Sequence, residues 1–113
     1  MELTILMPCL NEEKTIGKCI EKAKKFIERN SIDAEILIAD NGSADNSIKI
    51  ANELGVRVIN VKEKGYGNTL RLGTNEARGK YVIIGDSDDS YDFSNLENFI
   101  KQLKKRLRFS NRK

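Results

Sequence analysis

Acidic residues follow a short apolar run in the last third of the chain. The run, Tyr81–Ile84, is rich in β-branched residues and too short for a helix, so it predicts a buried strand that ends near Gly85. Because side chains alternate along extended backbone, Asp86 and Asp88 should point one way and Ser87 another. Two carboxylates on one side of a strand tip suit Mg²⁺ or Mn²⁺, which also holds phosphate oxygens. The pattern therefore indicates phosphate-linked chemistry.

The same segment fits two other interpretations. Acidic and hydroxyl side chains between Asp86 and Glu97 match the spacing of a calcium-binding loop. However, Tyr91 occupies the position where that loop needs a glycine, and a strand precedes it instead of a helix. The simpler alternative is a solvated acidic turn at the start of the next helix.

Composition indicates one soluble domain or part of one. The chain has 113 residues, of which 33% are charged and 39% hydrophobic, and its net charge of +3 does not by itself indicate a nucleic-acid partner. There is no histidine, which excludes a histidine base, and the two cysteines, Cys9 and Cys19, cannot form the usual Cys/His zinc site. We expect both to be reduced thiols in a cytoplasmic protein without a secretory signal or membrane span.

Eight segments alternate between the strand and helix patterns. Alternation of this kind predicts an α/β fold, with a parallel, Rossmann-like sheet in a three-layer α/β/α arrangement. Ligands of such sheets bind beyond the carboxyl ends of the strands. The predicted strands are Leu3–Met7, Ala34–Ala39, Val56–Val61 and Tyr81–Ile84, and the predicted helices are 14–29, Asn46–Leu54, Tyr66–Ala77 and Leu96–Leu107.

Polar loops follow the first two predicted strands. Pro8 should break the first strand's ladder, and the next residues are either a helix entry capped by Asn11 or a ligand-facing loop. After the second strand, Asn41-Gly42 is a strong turn signal, and Ser43 or Asp45 can cap the next helix. The turn does not require Asp40, whose carboxylate could accept a hydrogen bond from a base such as uracil or guanine.

The loop after the third strand contains Gly65-Tyr66-Gly67 at a helix start. This is half of a dinucleotide-binding fingerprint, but the third glycine is not in place and the motif does not follow the first strand. A loop that approaches phosphate, with Lys62 and Lys64 nearby, is the better interpretation.

Together these motifs resemble glycosyltransferase family 2, the inverting nucleotide-sugar enzymes with the GT-A fold. The branch that they suggest is the polyprenyl- or dolichyl-phosphate mannosyl- or glucosyltransferase type. Four motifs occur in order between residues 3 and 93, namely Met7–Glu13, Ile38–Ser43, Lys64–Asn68 and Gly85–Phe93.

The resemblance implies a role for each matching residue. Asp86 and Asp88, as the family's Asp-X-Asp, would hold Mg or Mn on the diphosphate and contact the ribose, and Ser90 lies where some relatives place a third metal ligand. Asp40 would bind the base, and Glu12 would lie near the ribose. The rest of the predicted nucleotide-sugar site comprises Pro8, Leu10, Asn11, Gly42, Ser43, Lys64, Gly67 and Ser87.

The resemblance does not extend to the acceptor half of the family. Inverting transfer needs a base to deprotonate the acceptor hydroxyl, and no catalytic residue is assigned here. We therefore expect residues 1–113 to be one nucleotide-sugar-binding domain of a truncated glycosyltransferase. The expected donor is a UDP- or GDP-sugar, and the acceptor is unknown or a lipid phosphate.

Two other functions are alternatives, and the motifs fit only the first of them. One is a catalytically inactive fragment that binds a nucleotide-sugar without transfer. The other, a sugar-phosphate nucleotidyltransferase, would need a Gly-rich basic loop after the first strand, where this chain has Pro8–Glu13.

The C-terminal segment from Lys101 alternates basic residues with Leu103, Leu107 and Phe109. A solvated helix end is the simpler interpretation, because basic residues there are favoured by the helix dipole. The alternative is a peripheral contact with an anionic surface at the cytoplasmic face of the membrane.

Overall fold

The computed structural model of the chain describes residues 1–88 and 94–110. Four strands alternate with four helices, in the order that the sequence predicts. Strand bounds differ from the prediction by up to two residues, and the last helix is longer at both ends. The elements are β1 Leu3–Cys9, α1 Ile16–Arg29, β2 Ala34–Asp40, α2 Ser47–Glu53, β3 Arg57–Asn60, α3 Tyr66–Glu76, β4 Tyr81–Ile84 and α4 Ser94–Ser110.

All strand pairs of the sheet are parallel, and the strand order is β3-β2-β1-β4. Leu3 of β1 is aligned with Ala34 of β2 and with Tyr81 of β4. The four strands therefore end at one edge of the sheet, and the loops that follow them are brought together there. The predicted parallel α/β fold is confirmed.

Pro8 does not break β1, contrary to the prediction. The strand continues to Cys9, and Pro8 is aligned with Ala39 of β2. The Leu6 carbonyl accepts a hydrogen bond from Gly85 N–H on the β4 side of β1, so alternate residues, including Pro8, present their backbone groups to that side. Because pairing with β4 ends at Leu6, no ladder hydrogen bond is required from the position where proline lacks its N–H.

Alternating side chains of β1 supply the two faces of the sheet. Leu3, Ile5 and Met7 are buried with the apolar face of α1, and this core also includes Leu96 of α4. On the opposite face, Leu6 is buried in a smaller core that includes partly buried side chains of α3. The sheet therefore lies between two helix layers.

The helix ends are only partly as predicted. Gly55 has φ 76° directly after α2, which confirms it as the helix stop. Asn11 does not cap α1, because its side-chain oxygen accepts a hydrogen bond from Ala44 N–H of the next loop instead. Within the described part of the chain, no helix is long and apolar enough to cross a membrane.

A buried polar network joins the strands at the opposite edge of the sheet. The Thr4 hydroxyl donates to Glu35 Oε2 (2.7 Å) and accepts from Gly79 N–H (2.9 Å). Partial burial raises the pKa of Glu35, but hydrogen bonds from Arg78 N–H, Thr4 and Arg57 outweigh it, so this pKa lies below its ordinary value. This network fixes the loop that leads into β4.

Candidate functional site: a cleft at the carboxyl edge of the sheet

The loops at the carboxyl edge enclose a cleft of about 370 Å³. Among the residues that the structure describes, seven of the predicted site residues line it: Pro8, Leu10, Glu12, Lys64, Asp86, Ser87 and Asp88. Five further residues line it that the sequence did not assign to the site: Cys9, Asn41, Gly65, Tyr66 and Thr69. The structure thus brings together the ends of β1, β2 and β4 with the start of α3.

The carboxylates after β4 lie on this cleft as predicted. Asp86 is half-buried and Asp88 is exposed, and both contribute to the lining. The buried hydroxyl of Ser87 turns away and donates to the Pro8 carbonyl (2.8 Å), while the Ser87 carbonyl accepts from the Thr15 hydroxyl (2.6 Å). The segment after β4 is therefore anchored to both ends of the β1–α1 loop.

Hydrogen bonds join the β1–α1 loop to the β2–α2 loop. Asn11 adopts φ 55°, a left-handed conformation that asparagine tolerates. Its N–H donates to Ser43 Oγ (2.9 Å), and its side-chain oxygen accepts from Ala44 N–H (2.7 Å). The next residue, Glu12, donates its N–H to Ser47 Oγ (2.9 Å), which fixes the backbone of a cleft residue.

Asp40 is 1% exposed, and its carboxylate lies beneath the turn that follows β2. One oxygen accepts from Gly42 N–H (3.0 Å) and Ser43 N–H (2.8 Å), and the other from the Ser43 hydroxyl (2.6 Å). Asp40 therefore holds the turn together, contrary to the expectation that the turn does not require it. Asp40, Gly42 and Ser43 lie outside the cleft lining. Binding of the base by Asp40 stays a prediction.

Asp45 supports the same loop from its exposed side. A hydrogen bond from the Ser47 hydroxyl (2.6 Å) lowers the pKa of Asp45, and those from Ser47 and Glu13 N–H act in the same direction. Asp45 therefore holds the first residue of α2, but the N-cap of that helix is Asn46 and not Ser43 or Asp45 as predicted.

Asn41 holds the loop between β3 and α3. Its side-chain nitrogen donates to the carbonyls of Val61 (3.1 Å) and Glu63 (2.9 Å), and its side-chain oxygen accepts from Gly65 N–H (3.0 Å). The sequence indicated only a turn at Asn41-Gly42. The distant partners of the amide arise from the tertiary fold, so no local signal could have identified this role.

Both cysteine residues are buried and reduced. Cys9 and Cys19 are reduced thiols that form no disulfide within the described part of the chain, as predicted. Burial raises the pKa of the Cys9 thiol, and the nearby Asp40 carboxylate acts in the same direction, against hydrogen bonds from Ser47 and Ser43 that lower it. The protonated thiol is a weak nucleophile, so Cys9 serves as an apolar wall of the cleft.

Ser90, which lies where some relatives place a third metal ligand, is outside the described part of the chain. Gly67 is described, and lies in α3 without lining the cleft. Leu10 and Tyr66 line the cleft while 50% and 60% exposed, respectively. An aromatic residue between two glycines at a predicted helix start is the sequence signal that could have identified Tyr66.

A doubly covered parallel sheet, with a cleft at its carboxyl edge and carboxylates at a strand tip, defines a Rossmann-like α/β domain, and ligands of such sheets bind beyond the carboxyl ends of the strands. The solved structures that it resembles have the GT-A glycosyltransferase fold. One is glucosyl-3-phosphoglycerate synthase from Mycobacterium tuberculosis, in complex with Mn²⁺, UDP and glucosyl-3-phosphoglycerate. It has a TM-score of 0.65 and 27% identity, over 76% of this chain and 33% of that one.

Sequence comparison identifies the family. A model described as glycosyl transferase family 2 matches residues 4–109, and the chain belongs to that family. The low-salt glycan biosynthesis hexosyltransferase Agl6 of Haloferax volcanii is 38% identical over 90% of this chain and 24% of its own length. Human dolichyl-phosphate beta-glucosyltransferase is 30% identical over 90% of this chain and 36% of its own. The chain thus spans between 24% and 36% of the length of these three proteins.

Proposed function

We propose that this chain binds the donor substrate of a glycosyl transfer, a UDP- or GDP-linked sugar, with the help of Mg²⁺ or Mn²⁺. The observation that carries the proposal is the placement of Asp86 and Asp88 in one cleft with Glu12 and Lys64. Carboxylates and an ammonium group on one cleft provide for both a divalent cation and the phosphates that it accompanies.

Asp86 and Asp88 fit a hard divalent cation. The described residues contain no group of three or more His, Cys, Asp or Glu side chains that could hold a metal. Two carboxylates nevertheless suffice for Mg²⁺, which is commonly held by one or two of them together with substrate phosphates and water. A cation bound there would neutralise the charge that develops on the leaving nucleoside diphosphate.

The other cleft residues would divide the nucleotide between them. Lys64 supplies a positive charge for the diphosphate, and the Glu12 carboxylate can accept hydrogen bonds from ribose hydroxyls. Pro8, Leu10 and Tyr66 provide apolar and aromatic surface for the nucleoside. Ser87 acts through its hydrogen bond to Pro8, which holds the two sides of the cleft together.

We further propose that the sugar passes to a phosphate-bearing acceptor. The relative dolichyl-phosphate beta-glucosyltransferase is named for a lipid phosphate, and the M. tuberculosis synthase was crystallised with glucosyl-3-phosphoglycerate. We assign no general base. A sugar-nucleotide-binding fragment without transfer is the alternative, and it is distinguished by binding of UDP or GDP without release of nucleoside diphosphate from any donor–acceptor pair.

Calorimetric titration of the chain with UDP and GDP, with and without Mn²⁺, tests the donor site. We expect Mn²⁺ to strengthen binding at least tenfold, and Asp88→Asn to remove that gain without changing the melting temperature. The matched control is Glu53→Gln, which neutralises an exposed carboxylate in α2 that does not line the cleft. If metal-dependent binding persists in Asp88→Asn, the assignment of Asp88 as a metal ligand is refuted.

We also propose a peripheral contact between α4 and an anionic membrane surface at the cytoplasmic face. Phe99, Lys101 and Lys105 are exposed on this helix, and such residues bind anionic interfaces. The structure does not describe the side chains of Leu103, Leu107 and Phe109. Sedimentation with phosphatidylserine vesicles should be lost in the Lys101→Glu/Lys105→Glu variant, and equal sedimentation of both proteins would refute the contact.

A further inference from the structure

We infer that Asn41 is a positioning residue that acts through Lys64. It fixes the backbone of residues 61–65 so that the Lys64 ammonium is held at the cleft for the diphosphate of the donor. The inference rests on the proposed function, because it assigns the anion that Lys64 binds. It adds a residue that would affect affinity without contacting the nucleotide through its side chain.

The hydrogen bonds of Asn41 carry the inference. The residue is 7% exposed, and both its donor and its acceptor atoms bond to the β3–α3 loop rather than to its own turn. Two bonds hold the carbonyls of Val61 and Glu63, and one holds Gly65 N–H. Lys64 is therefore flanked on both sides by residues that one buried amide fixes.

The position of Lys64 follows from these bonds. A Cβ atom built on Gly42 would lie 2.9 Å from Lys64 Nζ, so the ammonium passes directly over the glycine of the neighbouring turn. Gly42 also has φ 97°, a conformation that favours glycine. Asn68 Nδ2 donates to the Lys64 carbonyl (2.9 Å), which adds a second restraint on the same backbone.

The charge of Lys64 remains for a ligand. Among the residues that the structure describes, Lys64 forms no ion pair. A lysine side chain is flexible and loses considerable conformational freedom when it binds, so affinity depends on how well its backbone is already placed. Without the Asn41 amide, the loop would sample positions in which the ammonium is too far from the cleft.

The test is a double-mutant cycle on UDP or GDP binding in the presence of Mn²⁺. We expect Lys64→Ala and Asn41→Ala each to weaken binding about tenfold, and the double variant to bind no more than twofold more weakly than Lys64→Ala. We also expect Asn41→Ala to reduce the salt dependence of binding to that of Lys64→Ala, because the same ionic contact is lost. A purely structural role would leave the salt dependence unchanged.

Two further variants keep the inference falsifiable. Ile20→Val, on the buried face of α1, should lower stability without changing affinity or salt dependence. Asn68→Ala removes the exposed hydrogen bond to the Lys64 carbonyl and should weaken nucleotide binding at least threefold. This variant tests the inference independently if Asn41→Ala folds poorly. The inference is overturned if the two effects multiply in the double variant, or if both asparagine variants bind like the wild type. Absence of metal-dependent binding by the wild type would instead overturn the proposed function, and the inference with it.

Discussion

Replacing Thr4 by valine removes a buried hydroxyl while keeping the shape of the side chain. Thr4 is fully buried in β1, where its hydroxyl lies between a carboxylate of β2 and the N–H of Gly79 in the loop before β4. Valine fills the same space with a methyl group. The substitution therefore separates hydrogen bonding from packing at one position of β1, at the edge of the sheet opposite the cleft.

The structure gives the expected magnitude. The bond to Glu35 is 2.7 Å long and has a charged acceptor, and its loss costs about 1.5–3 kcal/mol. The Gly79 N–H loses its acceptor at a partly buried position, which costs a further ~1–3 kcal/mol. The added methyl group restores about 0.8 kcal/mol through burial. We expect Thr4→Val to lower the free energy of unfolding by about 2–5 kcal/mol, a large share of the stability of a domain.

Urea unfolding followed by circular dichroism measures this difference, with Thr4→Ser as the matched control. Serine keeps the hydroxyl and loses one methyl group, so it should cost only about 1 kcal/mol. The expected order of stability is wild type, then Thr4→Ser, then Thr4→Val. If Thr4→Val is as stable as Thr4→Ser or more stable, packing and not the hydrogen bonds governs this position, and the reasoning is refuted.

Two more predictions concern the same edge of the sheet. Gly79→Ala would place a Cβ atom 2.4 Å from backbone atoms of Leu3 and Thr4, so we expect thermal melting to show that the free energy of unfolding falls by more than ~3 kcal/mol. The control Gly67→Ala has open space around it in α3 and should raise the free energy of unfolding by up to about 1 kcal/mol. Equal melting temperatures of the two variants would contradict this expectation. Because the pKa of Glu35 is lower in the folded chain than its ordinary value of about 4.3, its stabilisation is present above that pH and lost as the pH falls through the folded-state pKa. The difference in unfolding free energy between wild type and Glu35→Gln should therefore shrink below about pH 4, and a constant difference down to pH 3 would count against it.

The fold could be predicted because the apolar pattern changes period at each element. The Tyr81–Ile84 strand has the predicted bounds, since Gly85 and the following acids end the apolar run abruptly, but it is half-buried with Ile84 exposed and not buried as predicted. Pro8 was misjudged for a reason that the local sequence does not contain: whether a strand tolerates proline depends on which neighbour faces its missing N–H, and β4 ends before that position.

The candidate site was predictable in location but only partly in detail. Parallel strands place their following loops on one edge, so the sequence alone sufficed to assign Asp86 and Glu12 to one cleft. The sequence assigned Asn41 to the turn and left Asp40 available for a ligand, and the structure reverses the roles of these two adjacent residues. Side-chain alternation puts them on different sides, and only the tertiary partners show that one supports its own turn and the other a distant loop.

The polar residues at this edge therefore fall into two groups with different consequences. Asp40 and Ser43 use their hydrogen-bonding atoms within the loops, so replacing them should lower stability and nucleotide affinity together. Asp88 is exposed on the cleft, and its replacement should lower affinity alone. Asn41 combines features of both groups, because it is buried like the first but acts on a loop that bears a cleft lysine. The ratio of affinity lost to stability lost thus distinguishes the residues that build this site from those that face the ligand.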